Sequence, residues 1–235
     1  MSELETLVHL QEYDTRVAGL DAEVARLPRE IEALQTAVAE ARKNVETIKA
    51  RLEATKKDLR SKERELDDIA VKRSKSEARL YEVKTNAEYS AVLSEIEAIK
   101  TQKGKTEEEI LALMEQQETL TAEIRDAEAR FRTREEQARR DEAVIRQRLA
   151  AVQQELEGVR GERASLAREV PRTLLADYER ILKARGGLGM AVVTTAAICG
   201  GCRVTIRPQA IQELRVAQQA VLHCESCGRF LYWRD

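Results

Sequence analysis

Aromatic residues are scarce in this chain: five Tyr, two Phe and one Trp make up 3% of 235 positions. A compact single-core globule of that length closes its interior with more bulky rings, so composition points away from one. Three prolines (Pro28, Pro171 and Pro208) and ten glycines are all that punctuate it. No run of 18 apolar residues occurs, which excludes a membrane-spanning helix. The only two histidines, His9 and His223, stand at opposite ends. Neither a phosphate-cradling glycine loop nor a nucleophile elbow is found. These gaps remove the usual equipment of acid–base, nucleophilic and nucleotide chemistry. The chain therefore reads as a non-enzyme without a small-molecule substrate. Its 40 basic and 42 acidic residues give a net charge of −2, with no overall pull toward polyanions.

What is present is charge on a helical period. Charged residues reach 35%. Alternating steps of three and four from Leu10 to Val83 meet 22 positions, of which 18 are apolar or Tyr, among them Leu20, Leu27, Leu34, Val45, Leu52, Ile69 and Leu80. The exceptions are Thr55, Lys62, Arg73 and Ser76. Eleven heptads in one phase predict a left-handed coiled coil. A second run opens at Tyr89 and passes Val92, Ile96, Leu120, Phe131, Ala138, Val152, Leu156 and Val170, with a stutter between Ile145 and Leu149. Between the runs, Thr85-Asn86-Ala87-Glu88 fits a capping box, a hydroxyl cap with an acid three residues on. The chain is predicted to reverse near 85–87, giving arms 1–84 and 87–170 of about 125 Å each as an antiparallel hairpin. The competing turn, Gln102-Lys103-Gly104-Lys105, leaves arms of very unequal length. Pro28 marks an expected kink.

Polar seam residues gather in the half nearer the reversal: Thr55, Lys62, Arg73 and Ser76, then Lys103, Thr106 and Gln117. They either loosen that half for a partner or merely fix register. An antiparallel register in which facing residue numbers sum to about 172 follows from equal arms. The arms carry balanced charge, with 17 basic and 18 acidic residues in 1–84, and 14 and 19 in 87–170, as expected of solvated helix faces.

All four cysteines fall in the last 40 residues as Cys199-Gly200-Gly201-Cys202 and Cys224-Glu225-Ser226-Cys227, separated by 21 residues. Two Cys-x-x-Cys pairs at that distance form a four-thiolate metal site: one structural Zn²⁺ is predicted, though spacing alone does not distinguish zinc from iron. Four thiolates close the coordination sphere and leave no position for a reacting water. Disulfides would suit an oxidising compartment, but Met1 to Leu10 enters an amphipathic pattern without a leader, so a cytoplasmic location is expected. Gly200, Gly201 and Gly228 suit turns with positive φ. Strands are expected at Ala197-Ile198, Arg203 to Ile206, Ala220 to His223 and Phe230 to Trp233, with a helix over Pro208 to Val216. Before this ribbon (191–235) lies a connector (171–190). It holds a short helix, Thr173 to Lys183, and Gly186, Gly187 and Gly189, read as a hinge or as turns.

Three stretches together resemble a known family. They are Thr85-Asn86-Ala87-Glu88-Tyr89 followed by Glu95-Ile96-Glu97, Tyr178-Glu179-Arg180-Ile181 running into Arg185-Gly186-Gly187, and Cys224-Glu225-Ser226-Cys227-Gly228-Arg229-Phe230-Leu231-Tyr232-Trp233. The chain resembles the bacterial coiled-coil hairpin proteins with a C-terminal four-cysteine zinc ribbon. That resemblance implies a mostly α fold with a small β ribbon, and Zn²⁺ at Cys199, Cys202, Cys224 and Cys227. Members of that family look like adaptors: the best-studied relatives bind an alternative sigma factor of the nitrogen-regulation type and support flagellar or secretion-system assembly, and one is linked to messenger RNA. The resemblance thus implies an adaptor without naming the partner of this chain. The other reading is RNA or DNA binding through the ribbon, with Arg203, Arg207, Arg215, Arg229 and Arg234 reaching phosphates and Tyr232 or Trp233 stacking on bases. Residues 186–235 carry five basic and three acidic side chains, a surplus that a zinc tetrathiolate of charge −2 cancels. A third reading, a transcription factor inserting a hairpin tip into RNA polymerase, lacks acidic tip residues beyond Glu88.

Overall fold

The structure is a computed structural model and describes residues 2–216 and 221–233. Two helices form the hairpin, α1 (Glu3–Arg79, 77 residues) and α2 (Asn86–Ala167, 82 residues). From Leu10 onward, the buried residues of α1 are Leu10, Leu20, Leu27, Val45, Thr55, Ile69 and Ser76, all on the predicted seam, with Gln11 the exception. Facing residues follow the expected register: Arg16 meets Glu155 at 2.6 Å, Arg148 meets Glu23 at 2.8 Å, Lys62 meets Glu109 at 2.6 Å, and Ser76 donates to Glu95 at 2.9 Å.

The reversal occupies residues 80–85. α1 stops at Arg79, five residues before the expected end of the first arm, because Leu80, Tyr81 and Glu82 turn their amides onto carbonyls three residues back. Leu80 and Val83 therefore lie outside the helical seam. The capping box forms as its spacing requires. The Glu88 amide donates to Thr85 Oγ1 at 3.3 Å, and the Glu88 carboxylate accepts from the Thr85 amide at 3.1 Å. These bonds hold the Glu88 carboxyl below its ordinary value. Tyr89 does not open the second seam: it is 48% exposed, and burial begins at Val92. α2 runs without a break through Gln102–Lys105, so the competing turn is not used. α1 continues through Pro28, which is exposed.

Packing divides the chain into two compact units, Met1–Glu32 with Glu142–Asp235, and Ala33–Asp141. The first, the ribbon-bearing unit, contains α3 (Arg172–Ala184), β1 (Met190–Val193), α4 (Pro208–Val216), β2 (Leu222–His223) and β3 (Phe230–Trp233). The sheet order is β1-β3-β2: β1 runs parallel to β3, with Met190 opposite Phe230, and β2 runs antiparallel to β3. Its core joins Leu4, Leu7 and Leu10 of α1 to Ala167, Val170, Tyr178, Ile181, Met190 and Phe230. The expected strands around the first cysteine pair reduce to single bridges, Val193–Cys199 and Ile198–Thr205. Ala197 (φ 58°) and Arg203 (φ 62°) leave extended geometry there, which stops strand growth. Ala220, the expected start of the next strand, lies outside the described residues. The second, turn-bearing unit is sealed by Val45, Ile69, Val92, Ile96, Ile99, Leu120 and Ala138, interspersed with buried Thr55, Ser76 and Thr106.

Candidate metal centre

Two short loops carry the cysteines, and they are built alike. In the first, Cys199 N–H donates to Val204 O at 2.9 Å and Arg203 N–H to Cys199 O at 2.8 Å. In the second, Cys224 N–H donates to Arg229 O at 2.8 Å and Gly228 N–H to Cys224 O at 2.7 Å. Each loop needs positive φ at its fifth residue, which is Gly228 (φ 76°) in one and Arg203 in the other. Gly200 and Gly201 serve a different end from the one expected: neither adopts positive φ. A Cβ on Gly200 would lie 2.9 Å from the Val192 carbonyl oxygen, and one on Gly201 would lie 2.6 Å from the Arg229 side chain. Gly200 is required by close approach to backbone, and a side chain at Gly201 would displace the Arg229 side chain.

The loops bring Cys199, Cys202, Cys224 and Cys227 together with all four Sγ atoms within 4.8 Å of one another. Cys199 Sγ lies 3.9 Å from Cys227 Sγ, and Cys202 Sγ lies 3.6 Å from Cys224 Sγ. A zinc–sulfur bond of about 2.3 Å implies tetrahedral S···S edges of about 3.8 Å. The donor set therefore fits one four-coordinate ion, and the chain carries a C4 zinc ribbon positioned to bind one metal. Bound zinc would cross-link the two loops in a sphere with no open position.

Electrostatics agree with that use. Burial pushes the Cys199 thiol up against the amides of Cys202 and Gly201. It also pushes Cys224 up, to about 12, against those of Cys227 and Ser226. Burial raises Cys227 too, but the Arg229 amide and guanidinium outweigh it and bring that thiol to about 6. Four sulfurs this close cannot all be thiolates unless a cation lies among them. The amides aimed at the sulfurs are the outer shell of such a site. His223 is exposed and outside the thiol cluster, with its ring 4.3 Å from that of Phe230.

The side chains proposed to reach a partner are placed differently from one another. Arg229 is turned inward, donating from Nε to Leu188 O at 2.8 Å and from a terminal nitrogen to Arg185 O at 3.1 Å. Arg207 pairs with Glu225 at 2.6 Å, and Arg215 lies 5.2 Å over the Trp233 ring. Arg203 is exposed, Tyr232 packs partly buried against the core around Tyr178, and Trp233 packs against the cluster containing the cysteines. Arg234 lies outside the described residues.

Sequence reasoning missed the groups that hold the connector. Gln11 is 7% exposed. Its Oε1 accepts from the amides of Gly189 (2.6 Å) and Met190 (3.0 Å), while its Nε2 donates to Gly187 O at 2.9 Å. Tyr178 donates to Asp14 at 2.8 Å, and Arg163 bridges Asp14 and Glu179 at 3.0 Å each. Gly186 and Gly187 take φ of 65° and 86°, and a Cβ on Gly189 would lie 2.7 Å from the Tyr178 ring. The glycines form an anchored turn.

Comparison with known proteins supplies the family. The profile of the CT398-like coiled-coil hairpin domain matches residues 10–186, and that of the C4-type zinc ribbon domain matches residues 198–231. The chain belongs to the CT398-like coiled-coil hairpin family. Among solved structures it is similar to CT398 from Chlamydia trachomatis, with a TM-score of 0.83 at 22% identity over 99% of this chain and 98% of that one. It also resembles HP0958 from Helicobacter pylori, with a TM-score of 0.68 at 17% identity over 99% and 97% of the chains. A structurally characterised protein of Mycobacterium smegmatis gives a TM-score of 0.70 at 21% identity over 100% of both. At these identities the likeness is one of fold. The comparison with curated proteins gives no significant match. Among the described residues, no helix of this CT398-like chain is long and apolar enough to cross a membrane.

Proposed function

We propose that this protein is a non-enzymatic, cytoplasmic adaptor that binds protein partners, with one structural Zn²⁺ held by Cys199, Cys202, Cys224 and Cys227. Its working segments are the hairpin 1–170, the connector 171–190 and the ribbon 191–235. The carrying observation is in the turn-bearing unit. In a chain so poor in rings, Tyr81 is 92% exposed and Tyr89 48%, with Val71 and Leu93 also exposed. Three nearby carboxylates have internal tasks: Glu77 pairs with Arg73, Glu88 caps α2, and Glu95 accepts from Ser76 and Arg79, while Glu82 is exposed beside Tyr81. Lys72, Lys75 and Lys84 remain exposed and in no ion pair among the described residues. Exposed tyrosine beside exposed aliphatic side chains suits a protein-recognition surface, where aromatic residues are enriched. The family resemblance suggests an alternative sigma factor or flagellar or secretion components as clients. Nucleic acid is the weaker reading, because Arg207, Arg215 and Arg229 of the ribbon are engaged within it.

The test is recovery of the tagged chain from cells that make it, with and without nuclease, beside the Tyr81→Ala/Tyr89→Ala variant. A protein that survives nuclease and is lost from the variant supports the adaptor. Recovery of RNA, with co-purifying proteins lost after nuclease, would replace it with the nucleic-acid reading.

A further inference from the structure

The second cysteine loop does more than offer two sulfurs. Arg229 donates to Leu188 O and Arg185 O, its side chain crosses Gly201 of the first loop, and its amide and guanidinium face Cys227. Arg185 returns the contact, donating from Nε to Cys227 O at 2.8 Å. Connector and ligand loop are thus tied in both directions. The connector is in turn held by Gln11 of α1 through three hydrogen bonds at Gly187, Gly189 and Met190. Phe230 N–H donates to Gly189 O at 3.0 Å, and its fully buried ring sits with Leu4, Leu7, Leu10 and Tyr178. A continuous chain of short contacts leads from the thiols to the first turns of α1.

We propose that metal occupancy of the four-thiol site is energetically coupled to packing of the α1 start and α3. Arg229, Arg185 and Gln11 are the positioning residues. Removing the metal frees the loop that Arg229 and Arg185 hold, and the connector loses its seat against Gln11. The ribbon is therefore not a detachable module: its metal state is read by the helices that carry it. Coupling of this kind is reciprocal, so disturbing the far end must weaken metal binding at the near end.

Gln11 makes no hydrogen bond to any cysteine, which makes it the decisive probe. Zinc affinity of the full chain is measured by competition with a chromophoric chelator. Gln11→Leu is expected to weaken zinc binding about 5- to 10-fold, within the usual range of coupling between sites. Unchanged affinity overturns the proposal. Should Gln11→Leu fail to fold, exposed Arg185 supplies the alternative: Arg185→Met is expected to shift affinity in the same direction by a smaller factor. As a second readout, hydrogen exchange is compared in the zinc-loaded full chain before and after chelation. Amides of 3–14 and 172–190 are expected to exchange faster without metal, while 45–135 stay unchanged. Acceleration confined to 191–233, or spread evenly along the chain, contradicts the coupling.

Discussion

The ribbon-bearing and turn-bearing units are made from the same two helices and the same heptad pattern, yet they are held differently. Where α1 begins, Leu4, Leu7 and Leu10 meet Tyr178, Met190 and Phe230, and a second cluster joins Leu20 to Val152, Leu156 and Val159. Asp14, Arg163 and Tyr178 form a hydrogen-bonded network there. In the turn-bearing unit, buried Thr55, Ser76 and Thr106 alternate with isolated apolar residues, while Val71, Tyr81, Tyr89, Leu93, Leu111 and Met114 are exposed. An open groove of about 1160 Å³ lies between stretches of both helices there, lined by Leu34, Ala37, Ala41, Ile48, Ala127 and Phe131 among others. Small alanine side chains at seam positions cannot fill the space that leucines fill elsewhere. One heptad repeat thus yields both a segment packed against the connector and ribbon and an underfilled segment, depending on which side chains occupy the seam and what packs across them.

The largest expected effect comes from the metal. Cys224→Ser, or chelation, removes an interaction worth about 10–16 kcal/mol in comparable sites. Measured zinc content should fall from one per chain toward zero, and the near-ultraviolet signal of the ribbon aromatics should collapse. Helical ellipticity is expected to fall only in part, since the turn-bearing unit contributes no residue to the site. Next is Phe230→Ala. Truncating a fully buried ring costs about 3–5 kcal/mol, and denaturation should show it in the ribbon-bearing unit. Leu93→Ala, in the other unit and exposed, should cost less than about 0.5 kcal/mol. Equal costs would erase the contrast between the units.

A smaller effect is expected at Tyr178. Burial first, then the Asp14 carboxylate, raises its phenol well above the ordinary range. A raised acid pKa contributes stability that is complete below the unfolded value of about 10 and is lost as pH rises through the folded one. Alkaline titration should therefore weaken the wild type more than Tyr178→Phe. At neutral pH that variant should be about 1–2 kcal/mol less stable, because Asp14 loses a donor. Thr85→Ala removes the α2 cap and should cost about 1 kcal/mol by thermal melting. The smallest effect is Thr55→Val, which should be neutral or stabilising by up to about 1 kcal/mol if the polar seam only fixes register. A marked loss would assign Thr55 a structural bond of its own.

The hairpin was legible because heptad periodicity repeats over many turns, and the Thr85–Glu88 box was legible because its spacing is itself the geometry. The four thiols were legible for the same reason, since two tight loops aim four sulfurs at one point. What the sequence concealed depends on tertiary approach. Gln11 follows Leu10 in an unremarkable polar slot, and its burial results from the connector folding onto it. Arg229 looked like a phosphate contact until its donors were seen on the carbonyls of Leu188 and Arg185. Gly201 suits a turn with positive φ by its position, whereas in the fold its φ is not positive and the Arg229 side chain passes over it. Tyr89 was placed in the seam because its spacing allowed it, and only the reversal at 80–85 turns it out.

The contrast between the two units is tested most directly by native-state hydrogen exchange along the zinc-loaded full chain. Both units expose helical amides, so differences report packing rather than secondary structure. Amides of 5–30 and 150–182 are expected to exchange at least about tenfold more slowly than those of 35–75 and 95–138. Equal protection along both helices, or slower exchange in 35–138, would contradict that contrast.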